Sequence, residues 1–172
     1  MFGEGVAGNR DRVMARLIGL RDDPELLFQR GRAGVRALAS RPEVDGRLAA
    51  VGFCFGGMAV LALARMGAEL RGVISMHGSL GTPRPAKPGS VKAKVLVCHG
   101  ALDPHVPMAR VSAFIEEMNQ AGADWQLIVY GGAVHGFTHK DAVGGATPGV
   151  AYDARTDERS FSAAKSFLAE IF

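Results

Sequence analysis

Hydrophobic and polar positions divide the chain into two kinds of stretch. Leu48 to Phe53, Gly72 to His77, Lys94 to His99 and Trp125 to Tyr130 are short, nearly continuous apolar runs rich in β-branched or aromatic residues. Such runs predict strands of a parallel sheet covered on both faces, because a half-exposed strand would alternate apolar and polar positions. Between them the apolar residues recur with helical spacing. Met58, Leu61, Ala62 and Arg65 share a face over Gly57 to Met66, with Gly67 as a C-terminal stop, and Val111, Phe114, Ile115 and Met118 fall at i, i+3, i+4 and i+7 before Gly122. A last helix is predicted from about Ala154 to the chain end, with Phe161, Ala164, Leu168 and Ile171 inward.

The N-terminal part is more polar. Met1 to Gly5 is turn-rich, and the stretch around Val13, Leu17 and Leu20 is weakly amphipathic. Asp23-Pro24-Glu25 opens a helix: the Asp side chain accepts from orphan backbone donors, Pro suits the first helical position and Glu favours the positive end of the dipole. Leu27, Gly34, Val35 and Leu38 would line its packed face, and Arg41-Pro42 ends it, since the residue before a proline is pushed out of the α region. Gly78 to Val91 carries Pro83, Pro85 and Pro88 and is expected to be irregular. The order of elements predicts an α/β fold, a mostly parallel sheet with flanking helices.

Composition narrows the class. The chain has 172 residues, 48% hydrophobic and 22% charged, which suits a single globular domain over 1–172. A net charge of +3, with basic and acidic residues interspersed, gives neither a nucleic-acid footprint nor a polybasic membrane patch. No apolar stretch approaches the roughly 20 residues of a membrane span, and the start lacks the pattern of a secretory signal, so a cytoplasmic location is expected. Two cysteines, Cys54 and Cys98, are too few for a disulfide framework.

Three strand ends carry candidate chemistry. Gly52-Phe53-Cys54-Phe55-Gly56-Gly57 lies between a strand and a helix and has the form of a nucleophile elbow with Cys in the serine position: small residues two before and two after allow a sharp turn that lifts the side chain over the strand end. A thiolate there is favoured by the helix dipole, and the Phe55 backbone N–H is placed to meet a developing oxyanion. Asp103 follows the third strand and His135, among glycines, the fourth. Each has an ordinary use, Asp103 as a turn residue before Pro104, His135 as a solvated loop residue and Cys54 as a small buried hydrophobe. Together, nucleophile, acid and histidine after successive strands follow the chain order of α/β-hydrolase triads. His77 and His99 are read as packing residues or as partners of loop backbone, Cys98 as core, Trp125 as packing, and Phe137 as packing or pocket. A metal site at His99, Asp103 and His105 is weaker, because Asp103 is better used by His135 and no further ligand pair has recognisable spacing.

These segments, with Gly100-Ala101-Leu102-Asp103-Pro104-His105-Val106-Pro107, Tyr130-Gly131-Gly132-Ala133-Val134-His135-Gly136-Phe137 and the tail Pro148 to Tyr152 through Asp157-Glu158-Arg159-Ser160, resemble the dienelactone hydrolase family of the α/β-hydrolases, from Phe2 onward. The resemblance implies a Cys54–Asp103–His135 triad, hydrolysis of ester or lactone bonds, and no cofactor. Phe53, His105, Phe137 and His139 are the pocket candidates. His139 stands where family members acting on a carboxylated lactone have a substrate-binding arginine, and Glu4 or a neighbour stands at the other such place, which speaks against that lactone as substrate and leaves a neutral ester or lactone open. Family members also carry roughly a third of their domain ahead of the segment matched here. That region would supply the early strands, a second oxyanion donor and a glutamate that holds the resting thiol, none of which is assignable in this chain. The run from Leu48 to Phe53 is then expected to be an open sheet edge beside an apolar face.

The expected activity is therefore cysteine-dependent hydrolysis of a small-molecule ester or lactone. The alternatives are a non-catalytic module completed by a partner or by a second copy across the open edge, and a thiol redox sensor at Cys54.

Overall fold

The computed structural model describes residues 8–142 and 147–172; the expectations placed on Met1 to Gly5, Glu4 among them, lie outside these. Nine elements follow in the order α1 (Arg10–Asp22), α2 (Pro24–Ala39), β1 (Ala49–Phe53), α3 (Phe55–Arg65), β2 (Gly72–Met76), β3 (Lys94–Gly100), α4 (Met108–Ala121), β4 (Trp125–Tyr130) and α5 (Ala154–Ile171). The four strands form one parallel sheet in the order β1-β2-β3-β4. Among the described residues no helix is long and apolar enough to cross a membrane.

Two apolar layers sandwich the sheet. Val73, Val95 and Val97 point to one face, where they pack with Val60, Leu61 and Leu63 of α3 and Val111, Phe114 and Met118 of α4. The alternate residues Ile74, Met76, Leu96 and Cys98 point to the other face, against Ala164, Phe167 and Ile171 of α5. β2 and β3 are buried almost throughout, which is why their sequences read as unbroken apolar runs. α3 is buried nearly all round, since α2 covers its outer side.

The buried guanidinium of Arg65 ties the proline-rich excursion to this core. It meets Glu117 at 2.7 Å and 2.8 Å and donates to the Leu80 carbonyl at 2.7 Å, while Glu117 also accepts the Ala86 N–H. The excursion forms no helix, and its order comes from this network and from the Arg84–Glu25 pair that joins it to α2.

The caps follow the sequence. Asp23 accepts from the Leu26 N–H with Pro24 in the first turn of α2, and Asp153 accepts from the Thr156 N–H at the start of α5. Three inward expectations fail. Leu38 is 49% exposed and Gly34 is exposed with it, because the packed side of α2 runs through Leu27, Gly31 and Val35: a Cβ at Gly31 would meet the Leu63 side chain at 3.1 Å, whereas nothing lies within 4 Å of one at Gly34. Phe161 is 46% exposed because α5 packs mainly on β2 and β3, and on its side of β1 Ala49 is packed while Val51 and Phe53 stay exposed. Its ring lies 6.2 Å from that of Phe53, so with Val51 the two aromatics form an apolar strip along β1. Among the described residues β1 pairs with β2 alone and lies at an edge of the sheet, as expected of it.

Candidate active site

β1 ends in a turn that few side chains tolerate. Cys54 has φ 51° and ψ −116°, outside the regions favoured by residues with a Cβ. The turn is tight because Gly52 admits it: a Cβ there would lie 2.0 Å from the Gly56 carbonyl oxygen. Gly57 lets α3 settle on β2, where a Cβ would meet Ser75 Oγ at 2.7 Å. Gly56 was expected to be small for the same reason, yet nothing lies within 4 Å of its would-be Cβ, so the close approaches fall at Gly52 and Gly57.

The three strand-end residues meet. His135 Nδ1 lies 2.8 Å from Asp103 Oδ2, and His135 Nε2 lies 3.2 Å from Cys54 Sγ. Asp103 is held from its other side, as Oδ1 accepts the backbone N–H of His105 at 2.8 Å and of Val106 at 3.1 Å. The His135 loop is clamped by the tail: His135 N–H donates to the Gly149 carbonyl and Ala151 N–H donates to the His135 carbonyl.

This chain of contacts sets the charges. Cys54 lies below the ordinary thiol range, chiefly because of its hydrogen bond to His135, with further help from the Phe55 backbone N–H and against partial desolvation. Burial pulls His135 down, but its bonds to Asp103 and Cys54 and their charges outweigh that and raise it to about 9. Burial likewise works against the Asp103 carboxylate, and the His135 contact with the two backbone donors still leaves it below its usual value. All three shifts act in the direction of a thiolate–imidazolium pair backed by a carboxylate.

Beneath the thiol lies His77, which is buried and also has a positive φ, 41°. Its Nδ1 lies 3.2 Å from the Cys54 backbone nitrogen, and its Nε2 lies 2.9 Å from Thr138 Oγ1. Burial, followed by the charge on His135, lowers it to about 4. The expectation that it serves loop backbone is met, at the nucleophile turn itself.

The cleft over Cys54 has a volume of about 370 Å³. It is lined by Cys54, Phe55, Met58 and His135 of the strand-end turn and base loop, by Ser79, His105 and Val106, and by the α1 residues Met14, Leu17, Ile18 and Arg21. The α1 contribution went unnoticed in the sequence, although Met14, Leu17, Ile18 and Arg21 stand at i, i+3, i+4 and i+7, the spacing that identifies the other helices. A second hollow of about 440 Å³ shares Arg21, Ser79, His105 and Val106 and continues to Thr82 and Arg110.

Of the four pocket candidates, His105 alone lines this cleft, its ring 5.3 Å from that of His135. Phe137 is fully buried in the α5-side core against His77 and Tyr130. Phe53 points out along the β1 edge, because it follows the strand alternation one step before the turn reverses direction. His139 is exposed beyond the His135 loop. Nor do His99, Asp103 and His105 form a metal site: the Asp103 oxygens are taken by His135 and two backbone amides, and no metal-holding group of His, Cys, Asp and Glu occurs among the described residues.

A parallel sheet that carries a cysteine elbow, an acid and a histidine after β1, β3 and β4 has the architecture of an α/β-hydrolase. Residues 3–172 match the dienelactone hydrolase family, and the chain belongs to that family of hydrolases. A protein of Caenorhabditis elegans described as uncharacterized is 42% identical over 144 residues, 81% of this chain and 90% of that one. Among solved structures, one named m3DLH superposes with a TM-score of 0.87 at 38% identity, over 96% of this chain and 69% of that one. A dienelactone hydrolase-like promiscuous phosphotriesterase from metagenomic libraries gives 0.84 at 37% identity, over 95% and 69%.

Proposed function

We propose that the chain hydrolyses carboxylic esters or lactones through a covalent thioester at Cys54, with His135 as acid and base and Asp103 as its orienting partner. The observation that carries this is the unbroken Asp103–His135–Cys54 chain, 2.8 Å and 3.2 Å, on a turn that offers the thiol to an apolar cleft.

The steps follow from the resting charges. The Cys54 thiolate attacks the carbonyl carbon, and the electron pair moves to the carbonyl oxygen, toward which the Phe55 N–H is available. As the tetrahedral intermediate collapses, the His135 imidazolium gives its proton to the departing alkoxide, leaving the acyl group on sulfur and a neutral imidazole. His135 then takes a proton from water, the hydroxide adds to the thioester, and collapse expels the thiolate with His135 again protonated. Asp103 stays ionised throughout, fixing the tautomer and stabilising the imidazolium. The lining of Met14, Leu17, Ile18 and Met58 favours a neutral, apolar acyl or alcohol portion.

The test is hydrolysis of an activated aryl ester by the protein and by Cys54→Ala. Turnover that disappears in the variant supports the reading, and equal rates overturn it. An aryl phosphotriester belongs in the same assay, given the phosphotriesterase relative at 37% identity.

A further inference from the structure

His77 touches both halves of the candidate machinery. The Cys54 backbone N–H is shared between the Met76 carbonyl, at 3.0 Å, and His77 Nδ1, at 3.2 Å. Since Nδ1 accepts there, the ring proton sits on Nε2 and donates to Thr138 Oγ1 at 2.9 Å. Thr138 lies in the loop that carries His135, so one imidazole spans from the nucleophile turn to the base loop. The ring is boxed in by aromatic neighbours, with Phe137 edge-on at 4.9 Å, His135 edge-on at 5.3 Å and Phe53 at 6.1 Å. At φ 41° His77 occupies a conformation that only strong local contacts sustain. Its own N–H is held by the Cys98 carbonyl at 2.8 Å.

We propose that His77 is a positioning residue that couples the two sides of the triad, its Nδ1 pinning the Cys54 turn and its Nε2–H, bonded to Thr138, fixing the tautomer that makes Nδ1 an acceptor. Without the Thr138 acceptor the proton is free to move to Nδ1, which then faces the Cys54 N–H as donor against donor. The turn must shift, and the 3.2 Å contact between Cys54 Sγ and His135 Nε2 lengthens. The inference rests on reading Cys54 as the nucleophile.

Three substitutions separate the two contacts. Asn at 77 keeps an acceptor at the δ position, suits a positive φ and loses Thr138. Gln at 77 reaches Thr138 and loses the δ acceptor. Thr138→Val removes the hydroxyl with little change of shape and touches neither thiol nor base. The readouts are kcat and KM on the aryl ester and, independently of turnover, the pH midpoint for alkylation of Cys54 by iodoacetamide, followed by mass spectrometry. Thr138→Val and His77→Gln are each expected to lower kcat about tenfold with KM within about twofold, the scale of a small misplacement of reacting groups, and to move the alkylation midpoint up. His77→Asn keeps the midpoint closer to that of the unaltered protein, and Thr138→Val adds nothing to it.

Unaltered kcat and midpoint in Thr138→Val or in His77→Gln overturn the proposal. So does an equal loss from Thr138→Val in the His77→Asn background. If instead Cys54→Ala hydrolyses the ester as well as the unaltered protein, the reading of the nucleophile fails, and the alkylation midpoints still decide the role of His77.

Discussion

Cys54 and Cys98 lie at nearly the same height of one sheet and differ in almost every chemical respect. Phe53, Met76 and Cys98 are register partners across β1, β2 and β3, so Cys54 stands one residue beyond the level of Cys98 with a single strand between them. Cys98 lies within its strand, fully buried between Tyr130 and the α5 layer, and desolvation pushes it up to about 11. Cys54 has left its strand through a strained turn, reaches the cleft and is held below the ordinary thiol range by His135. The two thiols differ in surroundings through backbone geometry and one hydrogen bond, not through residue type or place along the sheet.

That contrast can be broken most sharply at Cys54. Cys54→Ala should lower turnover by about 10⁵ to 10⁶, the loss seen when a covalent nucleophile is removed, measured with an activated ester. Asp103→Asn should cost about 10³ to 10⁴ in kcat, because the imidazole loses the partner that fixes its tautomer. The pH profile reports the same pair. Activity requires ionised Cys54, so it rises as pH passes the depressed thiol value, and it requires protonated His135, so it falls as pH passes about 9. Loss of the Asp103 carboxylate lowers His135, so the alkaline limb of Asp103→Asn should move to lower pH. A limb that stays in place would mean that Asp103 does not hold the imidazolium.

Smaller effects are expected at Cys98. At neutral pH iodoacetamide should modify Cys54 and leave Cys98 untouched in the folded protein, since a thiol raised to about 11 and fully buried offers about one thiolate in 10⁴. Cys98→Ala should destabilise by about 1–2 kcal/mol in denaturant melts, as the loss of a small buried group, and leave kcat within about twofold. A large loss of turnover in Cys98→Ala would erase the distinction between the two sites.

Much of this was legible in the sequence, for physical reasons that also mark where legibility stops. The strands are readable because both faces of β2 and β3 are covered, which leaves unbroken runs such as Gly72 to Met76. The meeting of Cys54, Asp103 and His135 is readable because the ends of parallel strands lie along one edge of the sheet, so strand-end residues come close. The pocket is not readable in the same way, because its walls come from separate segments. Phe137, close to His135 in sequence, turns into the core, whereas Met14 and Ile18, remote in sequence, line the cleft at the thiol. Phe161 and Leu38 fail as inward residues because periodicity marks an apolar stripe without showing which part of it the neighbouring elements cover. His77 carries a recognisable position at a strand end, but its bridge to Thr138 depends on a side-chain direction that no spacing reveals.

The central claim is that Cys54 becomes acylated in the course of hydrolysis. The direct test is rapid acid quenching of the protein during turnover of an activated aryl ester, followed by peptide mass spectrometry. The account predicts the mass of the acyl group on the peptide that contains Cys54, removable by hydroxylamine and absent from Cys54→Ala. Sustained turnover with Cys54 free of any adduct at every quench time, or with acyl transfer confined to another residue, would contradict it.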